Sequence, residues 1–146
     1  MSNFSALVLT LASAALLSAC GVGSNVLRGS DGKLAPCSGG PHCVSSTDSD
    51  PDYRIEPIRY TGAASVAKER IKQVVTADGA KIAEESADYL HATYTTSLMR
   101  YVDDVEFVFA TPGSIDVRSS SRIGYADFGK NRDRVEAIRT AFAAGK

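Results

Sequence analysis

The spacing of apolar residues changes several times along this chain, and each change marks an element. From Ala64 to Ala77 they recur at the helical period: Ala67, Ile71, Val74 and Val75 form one face, while Lys68, Glu69, Arg70, Lys72 and Gln73 cover the other. Asp78-Gly79 stops this helix, because glycine accepts the left-handed backbone found just past a helix end. Beyond it the period falls to two. Residues 81–85, 88–98, 102–110 and 114–123 read as strands, the last two joined through Thr111-Pro112-Gly113. In the second of them Leu90, Ala92, Tyr94 and Leu98 share one face, and Tyr89, His91, Thr93 and Thr95 the other. The helical period returns over residues 132–143, with Val135, Ile138, Ala141 and Phe142 as the buried stripe and Asn131 as the N-cap. Residues 53–60 form a short extended segment interrupted by Pro57.

This order, β-α-β-β-β-β-α, predicts an α+β fold: an antiparallel sheet of four to five strands with two helices packed on one face. The hairpin register follows from matching faces. Val105, Phe107 and Phe109 should face the core, as should Ile115, Val117, Ser119 and Ser121. A two-residue loop at Pro112-Gly113 would pair Phe107 with Arg118 and mix the faces. An odd-length loop pairs Phe109 with Val117 and Phe107 with Ser119, which sets Asp104 opposite Arg122 and Glu106 opposite Ser120. The expectation is therefore an Asp104–Arg122 cross-strand ion pair, with Arg118 on the same polar face.

Ahead of the domain, residues 4–17 form an almost uncharged apolar run ending in Leu17-Ser18-Ala19-Cys20. At about fourteen residues it is shorter than the roughly twenty needed to span a bilayer, and it reads as an export signal. The four residues ending in Cys20 match the bacterial lipobox, in which the cysteine thiol takes diacylglycerol and becomes the new N-terminus. Met1-Ser2-Asn3 lacks the usual Lys or Arg, so a plain secretory peptide with a chance cysteine is the rival reading. The domain scheme is a signal peptide over 1–19, then a lipidated N-terminus, tether and cysteine-stapled loop over 20–52, then a single domain over 53–146. Gly21, in place of the Asp associated with inner-membrane retention, leans toward the outer membrane. The implied location is the cell envelope, facing the periplasm.

In that oxidising compartment Cys37 and Cys43 read as a disulfide. The rival is a metal site with His42, but ligands crowded into residues 37–43 with no second pair downstream fit zinc poorly, and the spacing is not Cys-x-x-Cys. Asp48-Ser49-Asp50-Pro51-Asp52 has the alternate acids of a calcium loop. It lacks the glycine and glutamate that complete one, so it reads as a solvated turn. No cofactor or metal is expected. Sixteen basic against seventeen acidic residues, with no basic run, argue against a nucleic-acid partner.

Several stretches resemble one family. Leu34-Ala35-Pro36-Cys37, Cys43-Val44-Ser45-Ser46 and Tyr89-Leu90-His91-Ala92 carry part of the likeness. The densest parts are Val102-Asp103-Asp104-Val105-Glu106-Phe107, then Val117 to Tyr125, Asp127-Phe128-Gly129 and Asn131 to Glu136. Together they resemble the domain-of-unknown-function family 1499 over nearly the whole mature chain. That resemblance carries over no catalytic residue.

Chemistry is sparse. Adjacent Asp103 and Asp104 point to opposite faces of a strand and make a poor acid–base pair. Ser119, Ser120 and Ser121 lack a nucleophile elbow, and no phosphate loop or dinucleotide fingerprint is present. The candidate anion-binding set is His91, Arg118, Arg122, Asn131 and Arg134, near the N-terminus of the last helix, where free amides favour anions. The competing reading has the neighbouring acids neutralise these arginines in place. The functional expectation is a lipid-anchored envelope protein acting as a binding or structural module. Its partners are the membrane, through the anchor, and an envelope protein or small anionic ligand. The alternative is an envelope enzyme or small-anion-binding protein using the His91/Arg118/Arg122 face.

Overall fold

The computed structural model describes residues 27–145. The apolar N-terminal run and Cys20 lie outside the described residues. Eight elements follow in order: β1 (Cys43–Ser45), β2 (Ile58–Arg59), α1 (Ala64–Ala77), β3 (Lys81–Glu85), β4 (Tyr89–Thr95), β5 (Val102–Thr111), β6 (Ser114–Ser121) and α2 (Lys130–Ala144). The fold is α+β. All six strands join one antiparallel sheet in the order β1-β6-β5-β4-β3, with β2 also on β6. Strand β1 pairs with Arg118–Ser120 and β2 with Ser114–Ile115, so the two short strands share one edge of β6.

Both helices pack on one face of the sheet. Ala67, Ile71 and Val75 of α1 and Val135, Ile138 and Phe142 of α2 meet Leu90, Ala92, Val105, Phe107, Ile115 and Val117 in one core. The end of α1 is a Schellman motif: Gly79 N–H donates to the Thr76 carbonyl and Ala80 N–H to the Val75 carbonyl, with Gly79 at φ 89°. Val75 and Ala80 are both buried, supplying the apolar contact that accompanies this motif. The far edge strand, β3, exposes Lys81, Glu84 and Glu85, charges that discourage pairing with another chain.

Two expectations need correction. The sheet has six strands, because β1 arises from the stretch assigned to the tether and stapled loop. Residues 28–52 are part of the domain: Leu34 packs with Tyr89 and Val108 on the sheet face away from the helices, and Val44 enters the main core. A few apolar residues suffice there because the sheet supplies the rest of the contact area, which is why the segment reads as a linker in isolation.

The hairpin register is displaced by two from the expected one. Phe107 pairs with Val117, Glu106 with Arg118, and Asp104 with Ser120. Thr111 pairs with Ser114, so the loop is the two-residue Pro112-Gly113 turn, and Gly113 takes φ 75°. The faces still match because the register shifts between Val108 and Thr111, where Phe109 and Ala110 oppose Ile115 alone. One extra residue in β5 restores the alternation that a tight turn would otherwise invert.

Candidate functional site

Strand alternation places Tyr89 and His91 of β4, Asp104 and Glu106 of β5, and Arg118 of β6 on the sheet face opposite the helices. The expectation of an open polar surface there fails. His91, Asp104, Glu106 and Arg118 are all buried, with Glu106 at 0% and Arg118 at 2% exposure.

Glu106 accepts three hydrogen bonds. Oε1 accepts from the Tyr89 hydroxyl at 2.8 Å and from the Arg28 backbone N–H at 2.8 Å; Oε2 accepts from Arg118 Nη1 at 3.1 Å. Burial, and then the Glu106 charge, push the Tyr89 phenol well above its ordinary range, so it stays a donor. Arg28 also clamps Asp88 through two bonds, at 3.1 and 2.6 Å, and its guanidinium lies 5.1 Å from the Tyr89 ring centroid. The bond to Arg28 holds the Asp88 carboxyl below its usual range.

Asp104 is held by Arg122 in a fork, Nε at 2.9 Å and Nη2 at 2.7 Å. His91 Nε2 lies 2.8 Å from Asp104 Oδ1; an ionised carboxylate only accepts, so Nε2 donates. This Asp104–Arg122 pair forms diagonally, because Asp104 stands opposite Ser120 in the ladder. The bond to Asp104 pushes the Arg122 guanidinium up from its ordinary value.

The remaining two members of the expected anion set lie on the other face of the sheet, so the five residues do not form one site. Asn131 is fully buried. Its Oδ1 accepts from the Ser119 hydroxyl and from Arg134 Nη1; its Nδ2 donates to the His42 carbonyl, Ser121 Oγ and Asp127 Oδ2. Arg134 Nη2 reaches Asp103 Oδ2 at 2.7 Å, and its guanidinium lies 4.6 Å from the Tyr94 ring centroid. Asn131 is not the N-cap. Helix α2 begins two residues earlier, at Lys130, with Gly129 as its N-cap, and Asp127 Oδ1 and Oδ2 accept from the backbone N–H groups of Gly129 and Asn131. A carboxylate of the chain itself thus fills the anion position at this helix N-terminus.

The cysteine-stapled loop joins the first network. Cys37 and Cys43 are bonded, with Cα atoms 5.7 Å apart. Asp48 is buried beneath the loop and accepts from the backbone N–H of Cys37 at 2.8 Å and of Asp50 at 3.0 Å. Burial alone would raise its pKa; those bonds and the Arg118 charge outweigh burial and bring it below the ordinary carboxylate value. His42 directs Nδ1 at the Tyr125 carbonyl, 3.2 Å away. Among the described residues no group of three His, Cys, Asp or Glu side chains is placed to hold a metal ion.

Sequence reasoning overlooked Arg28, Asp88 and Asp48 as partners, whereas Glu106 and Asp127 were among the acids that the competing reading set against the arginines. For Glu106 the signal is plain: alternate acids at Asp104 and Glu106 run beside alternate Arg118, Ser120 and Arg122 in the next strand.

Exposed large apolar side chains gather on two segments. Leu98, Met99 and Tyr101 stand on the β4–β5 loop, and Ile123, Tyr125 and Phe128 on the β6–α2 link, with Leu98 at 88% and Phe128 at 94% exposure. Both segments leave the same end of the sheet, since Arg122 N–H donates to the Val102 carbonyl. Each also holds a non-glycine residue at positive φ: Arg100 at 56° and Phe128 at 56°, the two such residues among those described. That backbone is strained for a bulky side chain.

A family model described as a protein of unknown function, DUF1499, matches residues 33–142. Neither curated proteins nor solved structures give a match.

Proposed function

This chain belongs to the family DUF1499, whose description names no activity, and from its own geometry we propose that it is a lipid-anchored cell-envelope protein that docks its domain onto the membrane through the two apolar segments, 98–101 and 123–128. The observation that carries this reading is the concentration of exposed large apolar side chains at one end of the sheet. Monomeric domains rarely leave such a group uncovered. The polar residues that would make an enzyme or an anion site on the sheet face are instead bound to one another.

A membrane fits this end better than a protein does. Tyrosines and a phenylalanine are interleaved with Arg100 and Lys130, the mixture that settles at the boundary between acyl chains and anionic headgroups. The tether length agrees. Arg28 is bonded to Glu106, and the loop end of β5 at Val102 is about 13 Å away at strand rise. About eight residues separate Cys20 from Arg28, a reach of up to roughly 26 Å. The tether is therefore long enough for an acyl chain on Cys20 and the two segments to meet one surface. The acyl chains alone hold the chain on the membrane firmly, and docking of the two segments sets the domain against the surface.

The chain has no tryptophan, so Leu98→Trp or Phe128→Trp supplies a single indole. Mass spectrometry of the protein extracted from its own membrane should find acyl mass on Cys20. On vesicles containing anionic lipid the indole emission should shift to the blue and be quenched by bromine on the acyl chains. An unacylated Cys20 overturns the anchor. An acylated protein whose indole stays in water overturns the docking, and crosslinks from the same positions to one envelope protein would assign the surface to that protein.

A further inference from the structure

A cleft on the helix side of the sheet, opposite the Glu106 and Asp104 networks, has a different character. It opens between the link after β2, the first half of α1 and the end of α2, with a volume of about 400 Å³. Arg59, Tyr60, Val66, Ala67, Arg70 and Phe142 line it. Val66, on its rim, is 68% exposed, the large apolar side chain left uncovered away from the two loop segments.

Its two arginines are unlike the others. Arg28, Arg118, Arg122, Arg134 and Arg139 each bond a carboxylate, and Arg54 and Arg132 bond main-chain carbonyls. Arg59, Arg70 and Arg100 bond neither among the described residues, and two of these three meet in this cleft. Arg70 lies with its guanidinium 4.8 Å from the Phe142 ring centroid, and its Nη2 is buried with no hydrogen-bond partner among the described residues. A buried donor without an acceptor is costly, and such groups are nearly always satisfied. Nη2 itself is closed to solvent against Gly145, so what the cleft offers is the exposed Arg59 and the rest of the Arg70 side chain beside an apolar wall, and no carboxylate lines it.

We propose that this cleft is a binding site for an amphiphilic organic anion, a phosphate or carboxylate head on a hydrocarbon or aromatic body. The head meets Arg70 and Arg59, whose planar forks suit such oxyanions. The body covers Val66 and lies along Ala67 and Phe142. The site is independent of the anchor and of the docking segments.

Titration of the full chain with dodecyl phosphate below its micelle concentration, with phenyl phosphate and with inorganic phosphate tests this. At least one of the two organic probes should bind at a single site and shift the Val66 methyl resonances. Inorganic phosphate should bind at least tenfold more weakly. Preference for dodecyl phosphate assigns the ligand to lipids, and preference for phenyl phosphate to compact soluble anions. Arg59→Ala, at an exposed position, and Arg70→Gln, which keeps a donor, should each weaken binding about tenfold or more. The proposal is overturned if both variants bind the probes like the parent, if inorganic phosphate binds as tightly as the organic probes, or if the Val66 resonances do not move. Should Arg70→Gln fail to fold, Arg59→Ala alone decides.

Discussion

Glu106 and Arg118 face each other directly across β5 and β6, both buried, with Oε2 3.1 Å from Nη1. Removing one partner strands the other charge in the interior, which typically costs about 3–5 kcal/mol. Arg118→Met should therefore lower the unfolding free energy by roughly that amount in urea titrations. Because Tyr89 and Arg28 still donate to Glu106, adding Glu106→Gln to Arg118→Met should recover part of the loss. A double variant no more stable than Arg118→Met alone would show that Glu106 is not a burden once Arg118 is gone.

Phe128 combines a left-handed backbone with 94% exposure. Glycine accepts that φ without strain, so Phe128→Gly should leave thermal stability unchanged or raise it, by up to about 1 kcal/mol. The same change removes a large apolar side chain from the docking end and should weaken vesicle association of the unacylated protein. A loss of stability without a loss of vesicle association would reverse both parts of the argument.

Asp48 links pH to the fold. Its folded pKa lies below the ordinary value of 3.8, so the ionised form is the one the folded state favours. That contribution is fully present above the unfolded pKa, near 4, and is lost as pH falls through the lower folded value. Asp88, lowered by its bond to Arg28, acts in the same direction. Stability should be flat from pH 7 down to about 5 with respect to these groups and then fall. Asp48→Asn should flatten part of that fall, which denaturation at pH 3, 4 and 6 would read.

Much of the architecture is legible in the chain itself. Helix α1 runs from Ala64 to Ala77 and β3 from Lys81 to Glu85, as their periods dictate. Ile71, Val75, Val105, Phe107, Val117, Val135 and Ile138 are buried as their stripes require. These are local properties: a period needs only neighbours in sequence, and a Gly79 stop needs only its own φ. The family likeness is legible as well, since its motifs are contiguous runs.

Tertiary structure decided the rest. The hairpin turn and the register are separate choices once a bulge is allowed, and packing of Phe107 against Val117 selected the bulged solution. Residues 28–48 carry too few apolar side chains to fold alone, and they become structure only where the sheet offers Tyr89, Glu106 and Val108 to cover. That covering turned a polar strand face into a buried charge network, while the packing of α2 on the other face set Asn131 and Arg134 on the opposite side from His91, Arg118 and Arg122. Which arginine meets which acid, and which arginines are left for a ligand, depends on contacts between residues far apart in sequence. No period along the chain encodes those contacts.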